Sequence, residues 1–148
     1  MGDKRRLTVS LKRDPAITAT RVSIGGEKLV YVLAADKRLE YETGKSRIAY
    51  IGTTRNGASR VASSVASRAY EILGIRGVRS FKARIVTCRP RQNVETWRLL
   101  ERALLLEFRN QFGEVPWCNT HGKRMRERDE FTRYFRRSRI RDIVEDLS

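Results

Sequence analysis

The apolar positions change period several times along the chain, and each change marks an element. Leu29, Val30, Tyr31, Val32 and Leu33 form a compact β-prone run, and Ile48, Ala49, Tyr50 and Ile51 form a second that ends at Gly52. The polar stretch from Asp36 to Ser46 lies between them, so the two runs predict a hairpin with an extended tip. Val61, Val65, Ala69, Ile72 and Leu73 then recur at helical spacing, predicting a helix over residues 58–73 with Gly74 as its C-terminal cap. Phe81, Ala83 and Ile85 alternate with Lys82 and Arg84, a half-buried strand that stops at Arg89, Pro90 and Arg91. Asn93 is placed to cap a second helix over 93–112.

The ends of the chain are patterned more weakly. Leu7, Val9 and Leu11 alternate with Thr8 and Ser10, which suits a short strand; a turn follows at 13–15, and Gly25 with Gly26 form another before the hairpin. After His121 the chain is strongly basic, yet Phe131, Tyr134, Phe135, Ile140, Ile143, Val144 and Leu147 keep helical spacing, predicting a basic amphipathic C-terminal helix packed on the domain. The whole predicts an α/β chain of the α+β type: a small, mainly antiparallel three-stranded sheet flanked by helices.

One residue breaks its pattern. On the helix over 93–112, Trp97, Leu100, Ala103, Leu104 and Phe108 form a stripe with Arg98, Arg102 and Arg109 opposite, and Glu107 falls inside the stripe. An unpaired carboxylate there costs several kcal/mol, so Glu107 needs a cation, strong hydrogen-bond donors or an open cleft in front of it.

Charge narrows the partner. In 148 residues, 32 Lys and Arg stand against 17 acids, a formal net charge of +15, spread along the chain rather than gathered in an arm. That balance points to a polyanion, nucleic acid first, with Arg55, Arg68, Lys123 and Arg124 as candidates to hold it. Cys88 and Cys118, without CxxC spacing and with His121 as the one histidine, argue against zinc fingers and disulfide frameworks. No apolar leader and no apolar run of membrane-spanning length is present, so an intracellular, cytoplasmic protein without membrane partners is expected.

Four separated pieces together resemble the GIY-YIG nuclease superfamily, in particular the nuclease domain of excision-repair endonuclease subunits. Val30, Tyr31 and Val32 stand at the first motif, and Tyr50, Ile51 and Gly52 at the second. Arg60, eight residues past Gly52, stands where the family has its catalytic arginine; Ala103 to Glu107, then Pro116 and Asn119, match the glutamate–proline–asparagine pattern of the repair subunits. The resemblance covers 29–119, leaving 1–28 as an N-terminal extension and 120–148 as the C-terminal segment.

The resemblance implies a metal-dependent endonuclease that hydrolyses DNA, duplex or single-stranded, with one Mg²⁺ or Mn²⁺ held by Glu107 and waters. It makes Tyr31, Tyr50, Arg60 and Glu107 catalytic, with Gly52 and Asn119 in support. Tyr31, with Tyr50 beside it, becomes the candidate to take a proton from the attacking water, and Arg60 the clamp on the scissile phosphate. A free phenol is about one part in a thousand ionised at pH 7, so the base needs a cationic field, from Arg60, the metal, Lys45 or Arg47. Ser64 stands where some members have a histidine, Thr53 where repair subunits have a lysine, and the chain between Tyr31 and Tyr50 is longer than in many members.

Other readings stay open on the residues themselves. Tyr31 and Tyr50 suit packed strand aromatics, Arg60 a solvated helix charge, and Glu107 an ion-pair partner of Arg60. A binding module for DNA or RNA on the same scaffold is the rival to the enzyme, and a structural RNA- or ribosome-associated protein is a third class. His121 alone cannot supply an HNH motif and is expected at the surface. One site cuts one strand, so a double-strand cut calls for a homodimer or a second binding event.

Overall fold

Both β-prone runs extend well past their apolar centres. The computed structural model describes residues 6–18 and 28–148, and β1 (Leu29–Tyr41) and β2 (Gly44–Thr54) pair antiparallel from Leu29 opposite Thr54 to Tyr41 opposite Gly44. The polar stretch expected as a loop is therefore mostly ladder. Its register slips between Leu33 and Ala34 and again between Ala34 and Leu39, so the extra residues bulge out as exposed Asp36, Lys37 and Arg38, and only Glu42 and Thr43 form the turn.

α1 (Gly57–Leu73), β3 (Phe81–Val86), α2 (Thr96–Phe112), a single π-helical turn (Glu130–Tyr134) and α3 (Arg137–Leu147) follow. β3 pairs antiparallel with β1, giving the order β2-β1-β3 in a three-stranded antiparallel sheet of an α+β fold. β1 is central and buried from Leu29 to Leu33 without alternation, which requires cover on both of its faces. Val61 and Ile72 of α1 and Leu100, Ala103, Leu104 and Phe108 of α2 provide that cover, and Ile140 and Val144 of α3 join the same core against α2 and β2.

Several expected details differ. Asn93 does not cap α2: it adopts a left-handed conformation (φ 59°) in the Arg91–Val94 turn, and the helix begins after Glu95, whose carbonyl accepts the Arg98 and Leu99 N–H groups. Gly74 does end α1 but in right-handed geometry, whereas Gly113 (φ 79°) closes α2 in the left-handed form that favours glycine, its N–H donating to Arg109 O at 2.8 Å.

Leu7, Val9 and Leu11 are not a strand; they are 90%, 91% and 96% exposed, and alternation without a neighbouring strand to pair with buries nothing. The turn expected at Gly25 and Gly26 lies outside the described residues.

The single basic C-terminal helix is also corrected. Phe135 and Arg136 are extended and break it, and α3 carries three arginines balanced by Asp142, Glu145 and Asp146. What fixes this segment is a buried ion pair. Glu130, 1% exposed, accepts from Arg102 Nε at 2.5 Å and from the Arg128 N–H at 2.8 Å, and these donors hold its carboxyl below the usual range despite burial. Among the described residues no helix is long and apolar enough to cross a membrane.

Candidate active site

Strand register brings the first two motifs together. Tyr31 lies directly opposite Gly52, and Tyr50 shares the face of Gly52 two residues earlier, so both phenols converge over a glycine. The ring centroids are 5.9 Å apart, tilted by 37°. A Cβ on Gly52 would stand 2.6 Å from Tyr31 Cζ, from Tyr31 Oη and from Tyr50 Cε1, so no other residue fits beneath the pair.

α1 lies over this face. Arg60, Ser64 and Arg68 are spaced four apart and share one side of the helix. Ser64 Oγ and the Tyr31 hydroxyl share a hydrogen bond of 2.6 Å, so the serine four residues past Arg60 contacts the phenol itself. Arg60 is exposed, with its charge close enough to act on Tyr31. The Arg68 guanidinium sits 4.5 Å from the Tyr50 ring and 3.0 Å from Glu71, and these two partners hold it in its charged form against burial. Arg68 is thus engaged inside the protein, while Arg55, Lys123 and Arg124 are exposed.

Tyr31 is 4% exposed, and burial pushes its phenol above the ordinary value of 10.0; the Ser64 hydrogen bond and the Arg60 charge pull down while Tyr50 pushes up. The field expected from Lys45 or Arg47 is not part of this balance. Lys45 pairs with Glu40 at 3.4 Å near the hairpin turn, and Arg47 lines a separate cleft with Asp146 and Leu147.

Asn119 buttresses the second motif from outside. β2 is an edge strand, which leaves the Ile51 N–H and C=O unpaired; Asn119 Oδ1 accepts the first at 3.0 Å and Nδ2 donates to the second at 2.9 Å. The Cys118 N–H adds a bond to Ala49 O at 3.0 Å. The Tyr41 hydroxyl donates to Ile48 O at 2.6 Å and accepts the Trp117 N–H at 3.2 Å, fixing the same loop. Cys118 is buried, its thiol pushed up to about 11 by desolvation first and Glu71 second; it and Cys88 are free thiols. His121 is exposed beside Thr120, as expected.

Glu107 is 3% exposed inside the apolar stripe. Its partner is not Arg60. Oε1 accepts from Gln111 Nε2 at 3.1 Å and lies 3.5 Å from Arg141 Nε of α3. Oε2 makes no hydrogen bond among the described residues and is not sealed from solvent. No described hydrogen bond or ion pair joins Glu107 to Tyr31, Tyr50 or Arg60.

Among the described residues, no group of three or more His, Cys, Asp or Glu side chains is gathered to hold a metal. Glu107 Oε2, without a described donor on a residue only 3% exposed, is the one carboxylate oxygen there that could ligate Mg²⁺ or Mn²⁺, which keep most of their waters. Ser64 and Arg68 were findable by counting fours from Arg60, whereas nothing in the pattern pointed to Arg141. Two clefts of about 370 Å³ lie elsewhere, neither lined by Tyr31, Tyr50, Arg60 or Glu107. Comparison of the chain with known protein families, with curated proteins and with solved structures returns no match.

Proposed function

We propose that the chain is a metal-dependent endonuclease hydrolysing DNA phosphodiester bonds through a single-metal site of GIY-YIG type. The observation that carries the reading is the convergence of the Tyr31 and Tyr50 phenols over Gly52, with Ser64 on the Tyr31 hydroxyl and Arg60 alongside. In this reading Arg60 pairs with the scissile phosphate in a charge-assisted contact, and Tyr31, oriented by Ser64 and acting as its phenolate, accepts the proton of the attacking water to become the neutral phenol. Arg60 also lies in the first two turns of α1, whose start carries no acidic residue, so the helix N-terminus adds to the attraction for an anion. Glu107 would hold the metal through Oε2, and Mg²⁺ or Mn²⁺ would supply Lewis-acid stabilisation of the phosphoryl oxygens. The net charge of +15 favours salt-sensitive binding of the strand, and a double-strand cut takes a second copy.

A second reading, a binding module for DNA or RNA without catalysis, is favoured by one contact. Arg141 already faces Glu107 and places a cation where the metal is needed. One experiment separates the two: supercoiled plasmid and labelled single-stranded DNA are incubated with Mg²⁺, Mn²⁺ or EDTA, using the parent chain, Arg60→Ala and Glu107→Ala. Metal-dependent nicking lost in both variants supports the nuclease. DNA binding without cleavage under any metal supports the module.

A further inference from the structure

A second polar site lies where β1 begins, β3 ends and α2 starts. The cleft there, about 370 Å³, is lined by Lys28, Cys88, Arg91, Thr96, Trp97 and apolar neighbours, so its charged lining is wholly cationic. α2 opens into it uncapped: Glu95 makes no side-chain cap, no acidic residue stands in the first turn, and the Trp97 N–H has no partner among the described residues. The Thr96 N–H is satisfied by Val94 O at 3.0 Å, but its side chain, 9% exposed, lines the cleft with a hydroxyl that makes no hydrogen bond among the described residues.

The Thr96 hydroxyl is directed to the cleft rather than to a protein partner, so it is free to bond a group that enters. The cations are already positioned. The Lys28 ammonium lies 4.8 Å from the ring of Trp97, itself a lining residue, and Arg91, whose guanidinium lies 5.4 Å from the Tyr134 ring, lines the cleft as an exposed cation. A helix N-terminus, a free hydroxyl donor and two cations together select a tetrahedral oxyanion.

We propose that this cleft binds a phosphate of a nucleic-acid strand, with the Thr96 hydroxyl and the α2 N-terminus donating to its oxygens and Arg91 and Lys28 neutralising its charge. The phosphate chemistry stands on the cleft alone; that a strand carries it rests on the nucleic-acid reading above.

The test is binding, not cleavage. The full chain, Thr96→Val and Arg91→Gln are titrated by fluorescence anisotropy against a labelled single-stranded DNA of about a dozen nucleotides, in EDTA and at several salt concentrations. Each substitution is expected to weaken binding about three- to tenfold, and Arg91→Gln to reduce the slope of log affinity on log salt by about one. Thr96→Val keeps the shape of the side chain, and Arg91 is exposed, so at least one variant keeps its fold.

In a Trp117→Phe background Trp97 is the sole indole, and its emission is expected to change with the oligonucleotide but not with inorganic phosphate or a nucleoside 5′-monophosphate at the same concentration. An equal response to the mononucleotide overturns the strand in favour of a free phosphate ester. Unchanged affinity and slope in both variants with a silent Trp97 overturn the site. Because EDTA prevents metal-dependent cleavage, failure of the nuclease reading leaves these outcomes unaffected.

Discussion

Asn119 holds the peptide of Ile51 from both sides, accepting its N–H at 3.0 Å and donating to its C=O at 2.9 Å, so one side chain does for the edge of β2 what another strand would do. The bond pair sits between Tyr50 and Gly52, the residues that shape the tyrosine site. Asn119→Ala leaves two buried backbone groups unpaired, and is expected to cost about 2 kcal/mol in denaturant unfolding and to lower cleavage at the same time. Unchanged stability would show that water replaces the carboxamide without loss.

Gly52 is constrained by contact rather than by a left-handed backbone. A methyl 2.6 Å from Tyr31 Cζ, Tyr31 Oη and Tyr50 Cε1 must displace one of the two phenols, and with it the Ser64 hydrogen bond on Tyr31 or the Arg68 contact on Tyr50. Gly52→Ala is expected to destabilise by about 1–3 kcal/mol and to alter near-UV circular dichroism from the displaced rings. A variant with parent stability and an unchanged spectrum contradicts the close packing.

The Tyr31 phenol is held above its unfolded pKa by burial. The fold therefore prefers the neutral form: this contribution to stability is present below about pH 10 and is lost as pH rises through the folded value. If Tyr31 is the base, cleavage climbs with pH across about 6 to 9, and a flat pH–rate profile there counts against it. Ser64 lowers the phenol pKa, so Ser64→Ala is expected to move the rise to higher pH, whereas a merely structural serine would lower the rate equally at every pH.

Sequence patterning found the elements that bury a face and failed where burial does not set the structure. The helix over 58–73 and the strand near Phe81 were legible because their apolar periods are clean, and Glu107 stood out because it interrupts such a period. The bulged ladder from Asp36 to Ser46 was not legible, since within it only Leu39 and Tyr41 bury apolar side chains and the bulged register hides their alternation among polar neighbours. The C-terminal segment misled for the opposite reason. Its apolar spacing continues across Phe135 and Arg136, but the buried Arg102–Glu130 pair and the extended backbone there divide it. At the site, the resemblance nominated Tyr31, Tyr50 and Arg60, and Ser64 and Arg68 follow Arg60 at helical spacing; the Arg141 partner of Glu107 depends on packing that no local pattern encodes.

Glu101 gives a second pH dependence. Burial raises its carboxyl from 4.5 to about 7, with Arg98 offsetting only part. A raised carboxyl favours the neutral acid in the fold, so its contribution is full below about pH 4.5 and is lost as pH climbs through about 7. Half-buried, it is worth less than the full shift implies, and Glu101→Gln is expected to stabilise by about 1–2 kcal/mol at about pH 8 and by almost nothing at about pH 4.5. Equal melting shifts at the two pH values would refute the assignment.

Arg141 and the proposed metal compete for one carboxylate. The guanidinium is 52% exposed and 3.5 Å from Glu107 Oε1, so the pair is partly screened and its loss is expected to cost only about 1 kcal/mol. Removing it leaves the Glu107 charge with Gln111 as its remaining described donor, a stronger demand for an external cation. Arg141→Gln is therefore expected to tighten Mn²⁺ binding about three- to tenfold by calorimetry, while Glu107→Gln abolishes the binding heat. A binding module predicts the reverse pattern: Arg141→Gln lowers DNA affinity, no Mn²⁺ heat appears in any variant, and Glu107→Gln alters stability alone.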